Sequence, residues 1–90
     1  MVLDSLFKEL ELLLSDIAFT GIRNVQPVTL QKLDGLKQWM KEFGMSEAIR
    51  RIEALSTSIR DYQAGEGTIA SVVSNLCALD CYQKTVSGNL

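Results

Sequence analysis

Met40-Lys41-Glu42-Phe43-Gly44-Met45-Ser46, residues 40–46, is the stretch on which the fold turns. It closes an apolar series, Leu30, Leu33, Leu36, Met40 and Phe43, whose steps of three and four residues fall on one face of a helix. A glycine follows this stripe, with the apolar Met45 directly behind it. Helices often end in a residue of positive φ, which glycine adopts without strain, and the next residue then folds back over the last turn. Met45 is therefore expected against Met40. Thr20-Gly21-Ile22 repeats the arrangement after an earlier stripe of Leu3, Leu6, Phe7, Leu10, Leu13, Leu14, Ile17 and Ala18, and pairs Ile22 with Ile17. Gly21 and Gly44 are read as structural helix stops.

Working outward from these stops gives helices over about 3–20, 29–43, 46–64 and 68–85. Asp4 is the expected cap of the first, with Leu12 on its outer face. Between the first two, Pro27 biases Gln26 toward extended backbone. Thr29 is then the expected N-cap, with Val28 and Leu33 in the positions of a hydrophobic staple. Gly35 lies one turn before Trp39, a spacing that suggests a closely approaching neighbour.

The third helix carries Ala48, Ile49, Ile52, Leu55, Ile59 and Tyr62, the spacing of a bundle seam. Glu47 is placed to pair with Arg50 or Arg51. Gly65-Glu66-Gly67 ends this helix without an apolar return. Thr68 caps the fourth helix, whose main stripe is Ile69, Val72, Val73, Leu76 and Leu79 with Cys77 at its edge. Residues 87–90 read as a frayed tail behind a single domain spanning 1–86. The fold class is all-α, a compact four-helix bundle with mostly antiparallel neighbours, as short connections favour.

Composition narrows the function. The 90 residues are 47% apolar and carry nine Lys and Arg, eleven Asp and Glu, and no histidine. A net charge of −2 without a basic face argues against direct nucleic-acid binding. No segment reaches the ~18 apolar residues that mark a membrane span. Asp4, Lys8, Glu9 and Glu11 interrupt any secretory signal. A cytoplasmic protein with reduced thiols is the default expectation.

Candidate chemistry is sparse. Cys77 and Cys81 stand four apart on one helix side, a separation of about 5–6 Å that is too long for a disulfide. Zinc needs four ligands, and this chain supplies two thiols and no imidazole. Buried, inert thiols are the expected reading, with no metal and no cofactor. Cys77, Asp80 and Tyr82 are candidate walls of a ligand pocket or an enzymatic site, in which a buried carboxylate serves as acid or base. The bland alternative leaves Asp80 in water. Without histidine there is no nucleophile–histidine pair, and no glycine-rich phosphate loop occurs. The chain is read as not an enzyme. Trp39, Phe43 and Tyr62 are candidate contacts for a protein partner, since aromatic side chains concentrate at interfaces. Phe43 and Tyr62 also continue core stripes, so Trp39 is the stronger interface residue.

One wider pattern stands out. The order of an apolar helix, Gly21-Ile22, the Leu30-x-x-Leu33 helix, Phe43-Gly44-Met45 and Ala48-Ile49-x-x-Ile52-x-x-Leu55 resembles the helical segment that accompanies SWIM-type zinc fingers in bacterial proteins. The resemblance implies a helical, regulatory companion of a nucleic-acid-binding zinc module located elsewhere. The Cys-x-Cys and Cys-x-His pairs of that module are absent here, so no functional residue carries over. The leading expectation is a noncatalytic interaction or scaffolding module that binds a protein partner or a second copy as a homodimer.

Overall fold

The computed structural model describes residues 2–88, with side chains from position 5 onward except position 87. Four α-helices follow one another: α1 Val2–Thr20, α2 Pro27–Glu42, α3 Ser46–Gln63 and α4 Ile69–Gly88, with a 3₁₀ turn over Ile22–Asn24 before α2. No strand occurs among the described residues. Each helix packs against two others in a closed ring, α1 on α2 and α4, and α3 on α2 and α4. Cross-helix contacts fix the directions. Asp34 and Lys37 of α2 meet Arg60 and Glu53 of α3, so residue numbers rise on one helix as they fall on the other. Asp16 near the end of α1 meets Thr29 near the start of α2, as an antiparallel pair of neighbouring helices requires. Ala54 with Asn75 and Arg51 with Tyr82 show the opposed order for α3 and α4. The result is an up-and-down four-helix bundle of 38 × 21 × 20 Å, two rods of about 10 Å diameter deep in each short direction.

The core is built mainly from the faces that periodicity identifies, but Ala18, Phe43, Ile69 and Val73 of the expected stripes are exposed. Phe7, Leu10 and Ile17 of α1, Leu33 and Met40 of α2, Ile52, Leu55 and Ile59 of α3, and Val72 and Leu79 of α4 are almost fully buried. Fully burying each such side chain stabilises by roughly 1.5–3 kcal/mol. Helix propensity alone would not hold helices of this length, so packing of these faces supports them.

The Gly44 stop has the expected geometry. Gly44 has φ +69°, its N–H donates to the Lys41 carbonyl at 3.1 Å, and the Met45 N–H donates to the Met40 carbonyl at 3.0 Å. These are the two bonds of a Schellman motif, and half-buried Met45 returns to the core that contains Met40. Gly44→Val is expected to destabilise by at least about 1 kcal/mol, because a β-branched residue resists positive φ. An unchanged urea midpoint would contradict this. Gly21 ends α1 differently. Its φ of 87° is positive but its ψ of 147° is extended. Its N–H still donates to the Ile17 carbonyl at 3.1 Å. The chain then enters the 3₁₀ turn with Ile22 half-buried against the core. The Gln63 amide donates to the Val25 carbonyl at 3.0 Å and ties this connection to the end of α3.

Several expectations need correction. α2 begins at Pro27, not Thr29, because proline at the first helical position lacks only an N–H that would have had no partner. Gln26 takes the cap position, extended as expected, and its carbonyl accepts from the Thr29 N–H at 3.0 Å. Thr29 is buried within the helix, and its hydroxyl faces Asp16 at 3.5 Å. The staple positions therefore fall on Val25 and Leu30, both buried, while Val28 is exposed. No neighbour approaches Gly35, which has nothing within 4 Å of where a Cβ would stand. On α4, Ile69 and Val73 lie outside the core. Thr68 does cap that helix, accepting from the Ser71 N–H at 3.2 Å. Ser87 and Gly88 continue α4 rather than fraying, and residues 89–90 of the expected tail lie outside the described residues. α1 already starts at Val2, and the side chains of Leu3 and Asp4, hence the expected cap, also lie outside the described residues.

Ion pairs trim the surface. Asp34 reaches Lys37 within α2 and Arg60 on α3, each at 3.2 Å. Glu47 holds Arg50 at 2.6 Å and Arg51 at 2.8 Å. Burial pushes the Asp34 carboxyl upward, but hydrogen bonds from Lys37 and Arg60 outweigh this and hold it below its usual 3.8. A carboxyl lowered in the native state contributes stability that is present above its unfolded value and lost as pH falls through the native one. The acid limb of Tm against pH, below about pH 5, should flatten modestly in Asp34→Asn, since the pair is partly solvated. An unaltered acid limb would remove Asp34 from the account.

Candidate functional site

Helix α2 presents two apolar faces. Leu30, Leu33, Leu36 and Met40 point into the bundle. On the opposite side Val28, Gly35 and Trp39 stand at steps of seven and four residues, which place them on one outer stripe. Val28 is 53% exposed, Trp39 52%, and Phe43, at the C-cap of the helix, 46%. Trp39 borders a shallow depression shared with Gln38, Lys41 and Glu42. Gly35, bare of side chain, makes a flat gap one turn before the indole. Lys32 and Glu42 flank the stripe toward its N- and C-terminal ends, both exposed, and neither takes part in the ion pairs described above.

Of the three aromatic candidates, the structure brings two together. Trp39 and Phe43 are one turn apart at the end of α2 next to the Gly44 stop. Tyr62 is at the other end of the bundle, half-buried against the core. Its hydroxyl accepts from Arg23 Nε at 3.2 Å, and that guanidinium carbon lies 5.9 Å from the ring centroid. The hydrogen bond to Tyr62 raises the Arg23 pKa further. Tyr62 thus fastens the 3₁₀ turn to α3 and is not part of the Trp39 surface.

The second candidate set does not converge. Cys77 and Asp80, with Glu11, Leu14 and Ala18 of α1, line an open groove of about 280 Å³ between α1 and α4. Tyr82 is not part of it; its ring sits under the Arg51 guanidinium at 5.4 Å, against α3. Asp80 is half-buried rather than fully in water and pairs with Lys84 at 2.9 Å, a hydrogen bond that raises the lysine pKa. Both thiols are exposed, so the expectation of buried cysteines is overturned. They lie on the side of α4 that faces away from Val72 and Leu79. Among the described residues no three His, Cys, Asp or Glu side chains are grouped to hold a metal ion.

Other surface features escaped the sequence reading. A polar groove of about 420 Å³ runs between α3 and α4, walled by Ala54, Ser58, Asp61, Gly67, Ser71 and Asn75. The small residues among its lining, Ala54, Ser58, Gly67 and Ser71, were the available signal. Phe19 is 94% exposed near the end of α1, and its offset from the Leu10–Ile17 stripe was that signal. No described helix is long and apolar enough to cross a membrane.

No protein-family model, curated protein or solved structure matches the chain.

Proposed function

We propose that this chain is a noncatalytic helical interaction module whose contact surface is the outer face of α2. The observation that carries the reading is that Trp39 stands half-exposed beside Phe43, while the opposite face of the same helix supplies the core. Tryptophan in an accessible apolar stripe is the typical anchor of a protein contact, where burial of one aromatic side chain can dominate binding. The bundle holds α2 rigid from its inner side, so its outer stripe meets a partner with little loss of conformational freedom. The companion role that the SWIM resemblance implies is compatible with such a surface and rests on that resemblance alone.

Site-directed photo-crosslinking in native cells tests this. A crosslinking residue replacing Gln38, next to Trp39, should give discrete adducts that disappear on Trp39→Ala. One replacing Glu9, on α1, should not. Equal adducts from both positions, or adducts indifferent to Trp39→Ala, would count against α2 as the contact surface.

A further inference from the structure

We infer that the occupant of the α2 outer face is a second copy of this chain, docked antiparallel through the same face; this rests on the interaction-module reading above. The charge layout of the stripe carries the inference. Lys32 and Glu42 stand along the exposed Val28–Gly35–Trp39 line, one toward each end. Lys41 adds a charge beside the Trp39 depression, on the side of the neutral Gln38, and Gln31 and Gln38 make up the rest of that flank. Such a surface is self-complementary in one orientation. A two-fold axis near the middle of α2 sets Lys32 of each copy toward Glu42 of the other, and does so twice by symmetry. A parallel pair would stack lysine on lysine and glutamate on glutamate.

The shape agrees with the charge. Gly35 and Trp39 lie on opposite sides of the same axis, so the indole of each copy is directed at the side-chain gap that Gly35 leaves in the other. Gly35, Trp39 and Phe43, at steps of four, form a row of the kind that interleaves in crossed helix pairs. Area sets the class of interface. One 16-residue helix is about 24 Å long, and a single stripe of that length buries less than the roughly 1,200 Å² of a standard stable interface. An interface below that size belongs to the weak, transient class, so the homodimer forms only at high protein concentration.

The test is sedimentation equilibrium of the full chain up to about 1 mM, with Trp39 emission as a parallel readout because it is the sole tryptophan. The wild-type chain should dimerise with a blue shift of that emission. Lys32→Glu and Glu42→Lys should each weaken dimerisation about 5- to 10-fold, since two contacts become repulsive at once. Mixing the two variants in equal amounts should restore it, because both cross-pairs are then Glu with Lys. That restoration also shows the variants are folded. Single reversals without effect, or no recovery on mixing, would overturn the antiparallel arrangement. A wild-type chain that stays monomeric throughout would overturn the second copy as occupant. If Gln38 crosslinks then still report a different protein, the interaction module survives without its homodimer; if they report nothing, both readings fall.

Discussion

Phe7→Ala is expected to lose about 3–5 kcal/mol of stability, measured by urea denaturation followed by circular dichroism. Phe7 is 1% exposed and sits in the same buried cluster as Leu10, Leu33, Met40 and Ile52. Removing its ring forfeits the transfer free energy of the side chain and leaves a cavity that four rigid helices close only in part. A domain of this size has a total stability of roughly 5–13 kcal/mol, so the variant should be near the limit of folding at 37 °C. A loss below about 1 kcal/mol would mean that α1 does not contribute its Phe7 face to the core.

Gly67→Ala carries the second large effect and tests a different kind of packing. α3 ends in its own Schellman motif: Gly65 has φ +81°, its N–H donates to the Tyr62 carbonyl at 3.1 Å, and the Glu66 N–H donates to the Asp61 carbonyl at 2.8 Å. No apolar side chain returns after it. Instead the Gly67 backbone lies directly on the last turn of α3, with its N–H donating to the Asp61 carbonyl at 3.1 Å. A Cβ at Gly67 would stand 3.0 Å from the Asp61 Cβ and 3.1 Å from the Tyr62 amide nitrogen. Neither atom is the end of a flexible side chain, so the α3–α4 connection has to move as a whole. The expected cost is about 1–3 kcal/mol. A midpoint equal to wild type would show that the connection is looser than described.

These two sites mark what was legible in the sequence. The faces of α1, α2 and α3 were, because their apolar residues recur at steps of three and four and the glycines cut them cleanly. The Gly44 stop was legible to the level of its hydrogen bonds, since Met45 supplies the apolar return. Gly67 was not, because backbone pressed on backbone leaves no side-chain pattern beyond the glycine itself. α4 was legible as a helix but not as a face. It carries apolar residues on two sides, Val72 and Leu79 inward and Ile69 and Val73 outward, and the choice is made by where α1 and α3 lie. Buried Gln83, on the inner side, further blurs the pattern.

The candidate site divides in the same way. Trp39 was placed off the centre of its stripe from spacing alone, and its exposure agrees. Phe43 was ambiguous because it sits at the cap, where the helix face is no longer defined by neighbours on both sides. Tyr62 was ambiguous because its partner, Arg23, is remote in sequence and belongs to the 3₁₀ turn. Gly35 invited the idea of a closely approaching neighbouring element. The gap is real, but it opens outward.

The central claim is that Trp39 serves a surface and not the core, and urea unfolding of Trp39→Gln tests it most directly. Monitored by circular dichroism at low micromolar concentration, the variant should stay within about 1 kcal/mol of wild type. A loss of about 3–5 kcal/mol, the cost of emptying a core aromatic site, would contradict the account.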